Sequence, residues 1–250
     1  MMHPRCHLAL VLLPLFALIA RVQAGEAAPP ELSAPAAAPA ASVEHSEVFV
    51  YAIAYAEGLQ TVYLTSGKGE SSEIALSTAN VRGPYLTVLD ARSNIILRSK
   101  QENEEGAIIF PPIAQVRLPD HIKEPLMILM PSTGNQPYEA LIIDRSLGSF
   151  PMGSYLLINL SPMDIRGMVG SNEVVVSSES VTAIIPSSVD EDLLDVHFQY
   201  ERPTGWRTFA RTRWVNDKNK RSLLLTYLDP KTKRMKIRGI PVKSLASTNE

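Results

Sequence analysis

The chain has a single cysteine in 250 residues, Cys6, close to its first residue. Beyond it there is no thiol nucleophile, no thiolate for a metal and no disulfide, so stability has to come from a hydrophobic core. Aromatic residues are also scarce, at 6%, which argues against a glycan platform built from rows of exposed rings. Helical periodicity is nearly absent, because Pro or Gly interrupts most windows that would repeat apolar residues at three and four. Catalytic signatures are missing too: there is no Gly-x-Ser-x-Gly elbow and no His-Glu-x-x-His pair. The segment Ser66-Gly67-Lys68-Gly69-Glu70 resembles part of a phosphate loop. Its spacing is wrong, and Gly69 stands where a hydroxyl residue should follow Lys68. Asp190-Glu191-Asp192-Leu193-Leu194-Asp195 lacks the alternating ligands and the glycine of a calcium loop. The expectation is a protein without catalytic function, metal or cofactor. A hydrolase ranks third among the readings and would need His121 or His197 in a pocket beside a serine or a carboxylate.

No apolar run reaches the ~20 residues of a comfortable membrane span. The longest, Leu8 to Ala20, follows Arg5, is broken by Pro14 and leads to Val22-Gln23-Ala24. This is the three-part pattern of a secretory signal over residues 1–24, so the mature chain is expected to be soluble and exported, periplasmic or extracellular. Residues 25–46 are mostly Ala, Pro, Ser and Glu, the composition of a disordered linker.

What is abundant is short β-branched or aromatic runs separated by turn residues, among them EVFVYAIAY, PLMILMP, SYLLINL, DVHFQYE, WRTFARTRW and SLLLTYL. Runs at this spacing predict an all-β fold of two β-sandwich-like domains, of immunoglobulin or jelly-roll type, over 47–147 and 148–245. No repeat in residue identity links the two parts.

Charge is unevenly spread. Residues 25–199 hold 22 acidic and 9 basic side chains, whereas residues 200–250 hold 4 acidic and 13 basic. On the strand Trp206–Trp214 a period of two places Trp206, Thr208, Ala210, Thr212 and Trp214 on one face. Arg207, Phe209, Arg211 and Arg213 fall on the other. A half-buried strand turns Trp206 and Trp214 inward and leaves Arg207, Arg211 and Arg213 as a stripe in water. Lys233 and Arg234 add charge nearby. This basic sheet is the candidate contact face for an anionic partner, an envelope protein or an acidic polysaccharide. Nucleic acid is not expected as the partner of an exported chain.

Phe150-Pro151-Met152-Gly153 reads as a turn in which Gly153 takes positive φ and delivers Tyr155 into a buried strand. Asn159-Leu160-Ser161 matches a glycosylation acceptor. Its place inside the strand and Pro162 after it favour a structural role for Asn159, satisfying backbone groups where the strand ends. FPMGSYLLINLSP, followed by FQYERPTGWRTFARTRW and KRSLLLTYLDP, resembles a group of exported bacterial all-β proteins over about Phe150 to Pro230. That resemblance implies an all-β, exported protein and assigns no residue a role.

Overall fold

The computed structural model describes residues 44–66, 70–187, 192–229 and 232–242. Within them the chain is all-β, with eighteen strands and no helix. Residues 67–69 of the Ser66–Glu70 segment and residues 190–191 of the Asp190–Asp195 run lie outside the described residues.

Ten strands precede Tyr155: β1 His45–Ala52, β2 Thr61–Thr65, β3 Ser71–Ala75, β4 Arg82–Val88, β5 Asn94–Arg98, β6 Gln101–Glu102, β7 Ile108–Ile109, β8 Pro112–Arg117, β9 Pro125–Pro131 and β10 Tyr138–Asp144. Eight follow: β11 Tyr155–Asn159, β12 Ile165–Val169, β13 Asn172–Val176, β14 Val181–Ile184, β15 Leu193–Tyr200, β16 Arg207–Val215, β17 Arg221–Leu228 and β18 Met235–Val242. Strand β1 begins two residues inside the stretch whose composition reads as linker. No sheet mixes the two sets of strands.

The strand orders reveal a repeat that residue identity conceals. In the first half the sheets run β10-β9-β1-β4 and β3-β2-β5-β8; in the second they run β18-β17-β11-β14 and β13-β12-β15-β16. Position for position these are the same arrangement. Even the register agrees. The parallel pair β1 and β9 aligns Phe49 with Leu126, and the parallel pair β11 and β17 aligns Leu156 with Leu223. The one addition is the hairpin β6–β7, inserted in the first half where the second has a short turn between β15 and β16.

Three apolar cores stack these sheets into four layers. Val48, Val50, Met127 and Leu129 of the first inner sheet pack on Val62, Leu64, Ile95 and Leu97 of the first outer sheet. Leu157 and Leu224 of the second inner sheet pack on Ile165, Val196 and Phe198 of the second outer sheet. Between the inner sheets, Phe49, Tyr51, Leu126 and Ile128 meet Leu156, Ile158, Leu223 and Leu225. The inner strands are therefore covered on both faces, which requires near-continuous apolar runs. Leu126 to Leu129 and Tyr155 to Ile158 are all buried. Outer strands alternate instead, as in β15, where Leu194, Val196, Phe198 and Tyr200 are buried and the residues between them are not. The described residues form one compact unit, joined through this shared middle core.

Two polar devices lock the inner layers. Arg221 is buried and donates from Nη1 to the carbonyls of Arg145 and Phe150, both at 2.8 Å. Arg145, also buried, lies 3.7 Å from the Phe49 ring centroid and 3.6 Å from the Glu124 carboxylate. Burial pulls both guanidinium pKa values down.

Candidate functional site

The second outer sheet turns its free face to solvent, and its pairing decides which side chains share that face. Arg166 of β12 lies opposite Gln199 of β15, Met168 opposite His197, His197 opposite Arg211 of β16, and Asp195 opposite Arg213. The residues between them, Val196 and Phe198, point into the core. Outward-facing side chains therefore form short rows across the strands: Arg166, Gln199 and Thr208; then Met168, His197 and Arg211; then Asp195 and Arg213. A shallow depression of about 440 Å³ lies among Met168, Asp195, His197, Arg211 and Arg213.

A bulge between Phe198 and Gln199 in the pairing of β15 with β16 corrects the simple alternation. Upstream of it the parity of β16 inverts. Phe209 packs inward, its ring 6.2 Å from Phe198 and 5.9 Å from Tyr200. Thr208 turns outward to meet His197 Nε2 at 3.0 Å. Arg207 pairs with the inward-facing Tyr200, so it is exposed but leaves the stripe. Trp206 is not a core residue either. It is half-buried beside the outer face, with the Arg166 guanidinium 4.3 Å over its ring. An extra residue in one strand moves every side chain before it to the other face, and no periodicity count detects that. Trp214 does lie inward, 5.0 Å from the Tyr155 ring. Lys233 and Arg234 are exposed, but on the turn between β17 and β18 of the inner sheet. The basic face is thus Arg211 and Arg213 with Arg166, which the sequence reading did not name.

Hydrogen bonding organises the face without consuming its charge. Arg166 Nε donates to Gln199 Oε1 at 3.0 Å, which holds the guanidinium flat across the strands. Arg213 Nε meets Asp195 Oδ1 at 2.8 Å, with both side chains largely in water at 69% and 82% exposure. Such a pair is worth little and reopens readily to a stronger acceptor. No described residue hydrogen-bonds or ion-pairs with the Arg211 side chain. His121 sits exposed in the turn after β8, far in sequence from His197, and among the described residues the side-chain partner of His197 is Thr208.

Below the face the sequence is fitted to bring β12 close to β15. A methyl group at Gly167 would lie 2.1 Å from the His197 carbonyl oxygen. Gly153 has φ of +74°, and its Cβ would meet the Lys218 backbone at 3.2 Å, so this turn needs glycine. Its amide donates to the Lys220 carbonyl at 2.8 Å. Tyr155 then begins β11 and donates its hydroxyl to the Val215 carbonyl at 2.6 Å, which anchors β16 to the inner sheet. Asn159 is fully buried. Its amide donates to the carbonyls of Met163 at 2.8 Å and Ser177 at 2.9 Å, and its oxygen accepts from Ser161 and Thr226. With both ends of the carboxamide engaged, glycan attachment has no access in the folded chain.

A larger cavity of about 780 Å³ opens where β10 and the turn before β14 approach each other at the junction of the halves. Its charged lining residues are Glu139 and Glu179, with Asn135 and Gln136 beside them. This lining suits neutral or cationic groups, so size alone does not make it the site for an anion. Compared with known proteins, the chain matches no family model and no curated relative.

Proposed function

We propose that this is an exported, non-catalytic binding or assembly protein of a bacterial envelope that docks an anionic partner on the second outer sheet. Each half is read as a β-sandwich. The shared four-plus-four strand order supports that reading, and it differs from the four-plus-three arrangement of an immunoglobulin constant domain. The observation that carries the docking role is the placement of Arg166, Arg211 and Arg213 on one solvent-facing sheet, where among the described residues the one carboxylate paired with them is the exposed Asp195. Guanidinium forks on a rigid sheet recognise carboxylate, sulfate or phosphate oxygens without a large ordering cost. A pattern of secretory type at residues 1–24 supports the envelope as the compartment.

Capture of an acidic glycan is the second reading. It is favoured by Trp206, whose ring lies beside Arg166 on the same face and can stack on a sugar. Pull-down from native envelope at low and high salt, with wild type and Arg211→Glu/Arg213→Glu side by side, tests the proposal. A partner released by salt and lost in the variant is the expected result. Equal capture by both proteins overturns it. A captured polysaccharide whose retention falls on Trp206→Ala selects the glycan reading.

A further inference from the structure

We infer that the anionic partner of the second outer sheet is the β6–β7 hairpin of another copy of this chain, an inference that rests on the docking role proposed above. The hairpin is the single departure from the strand order that the two halves share. Nothing in the layered core requires it: Gln101, Glu102, Ile108 and Ile109 are all exposed, and its two strands pair only with each other. Over residues 101–109 it carries Glu102, Glu104 and Glu105 and no basic residue. Beside these carboxylates Ile108 and Ile109 stand 51% and 41% exposed.

Such a combination on a projecting element is costly in isolation, since it sets like charges together and leaves apolar surface wet. The second outer sheet offers the complement to both features. Arg211, Arg213 and Arg166 supply the opposite charge, and Met168, Val175, Leu193 and Val215 are exposed apolar residues of the same sheet. The hairpin is also pre-shaped. Asn103 pairs with Ala107 through the backbone at 2.9 Å, and its side-chain oxygen accepts from the amides of Glu105 and Ala107. A tip fixed in advance lowers the ordering cost of docking.

The layer order argues against an intramolecular version of this contact. The hairpin springs from β5 and β8 of the first outer sheet, whereas the arginine face is the free side of the fourth layer, so three sheet spacings of about 10 Å each separate that root from the face. The contact is therefore head-to-tail, with different surfaces meeting, and it propagates into a ring or a filament instead of closing as a twofold dimer.

Charge reversal separates this inference from the docking role itself. Glu102→Lys/Glu104→Lys/Glu105→Lys reverses the hairpin, and Arg211→Glu/Arg213→Glu reverses the face; all five side chains are exposed, so both chains should fold. In sedimentation velocity at low salt, wild type should run as species larger than a monomer and dissociate at high salt. Either variant alone should stay monomeric, and an equimolar mixture should regain association, because each supplies the surface the other lacks. Wild type that stays monomeric at low salt, or a mixture that does not associate, overturns the self-docking inference. A monomeric wild type that still binds an acidic polysaccharide through Arg211 and Arg213 overturns it while leaving the docking role in place. Loss of that polysaccharide dependence as well removes both.

Discussion

The outer faces of the two halves occupy the same place in the same strand order, yet their side chains are used differently. Across the first outer sheet one row reads Glu73, Tyr63 and Arg98; across the second the comparable row reads Glu173, Met168, His197 and Arg211. In the first row the groups are tied to their own sheet. Tyr63 donates to Glu73 at 3.0 Å, and Arg98 Nη1 donates to the Phe110 carbonyl at 2.9 Å. In the second, the Arg211 side chain has no hydrogen-bond or ion-pair partner among the described residues. The inner sheets show the opposite tendency, since Phe49 and Leu156, or Leu126 and Leu223, are interchangeable apolar units in one register. A layer covered on both faces admits apolar side chains of suitable volume, or polar ones whose hydrogen bonds are all met, as at Asn159 and Thr226, whereas a face in water is free to diverge. In this molecule the repeat is kept where it is buried, and the surfaces are where the halves part.

The largest effect should come from the close approach of β12 to β15 in the second half. Gly167→Ala forces a methyl against the His197 carbonyl oxygen and should cost about 4 kcal/mol or more in urea unfolding. Gly205→Ala in the same half meets nothing within 4 Å but has a φ of +104°, so it should cost only about 1–2 kcal/mol. Next is the shared core. Leu225→Ala should cost about 3 kcal/mol, and because Leu225 packs in the core between the inner sheets, fluorescence and circular dichroism should lose the fold in one transition. Two separated transitions would mean that the halves unfold independently.

Asn159 and Thr226 replace Ala52 and Leu129 at matching positions of the parallel pairs. Asn159→Ala strands the carbonyls of Met163 and Ser177 and should cost about 2–3 kcal/mol by thermal unfolding. A smaller effect concerns acid. Partial burial pushes the Asp144 carboxyl up, but hydrogen bonds from the amides of Ser146 and Glu124 and the hydroxyls of Ser146 and Ser149 outweigh it and hold the pKa below its ordinary value. A depressed carboxyl contributes stability above its unfolded pKa and loses that contribution as the pH falls through the folded one. The matching residue of the second half is Pro241, which does not titrate. Acid should therefore weaken the tie between β10 and the Glu124 and Ser146 backbone, and Asp144→Asn should flatten the stability profile below the ordinary carboxylate range.

Strand content was legible from composition and spacing, because alternation and turn residues act locally. The continuous runs PLMILM and SYLLIN also carried a message, that both faces of their strands are covered. The repeat was not legible, since its two copies share a strand order and no residue pattern. On the candidate face, Arg211 and Arg213 followed from a period of two. Arg207 and Trp206 did not, because the bulge opposite Phe198 and Gln199 inverts the strand before Phe209. Arg166 was invisible for a different reason: it comes from a strand some forty residues earlier in the chain, brought alongside only by the pairing of β12 with β15.

The division of labour between the outer faces is tested most directly by titrating one acidic polysaccharide against two matched variants at low salt. Arg98→Gln/Arg117→Gln removes the two arginines of the first outer sheet, and Arg211→Gln/Arg213→Gln removes two of the three arginines on the free face of the second. The expected result is an affinity about tenfold lower for the second variant and unchanged for the first. Equal losses in the two variants, or a loss only in the first, would contradict a docking surface confined to the second half.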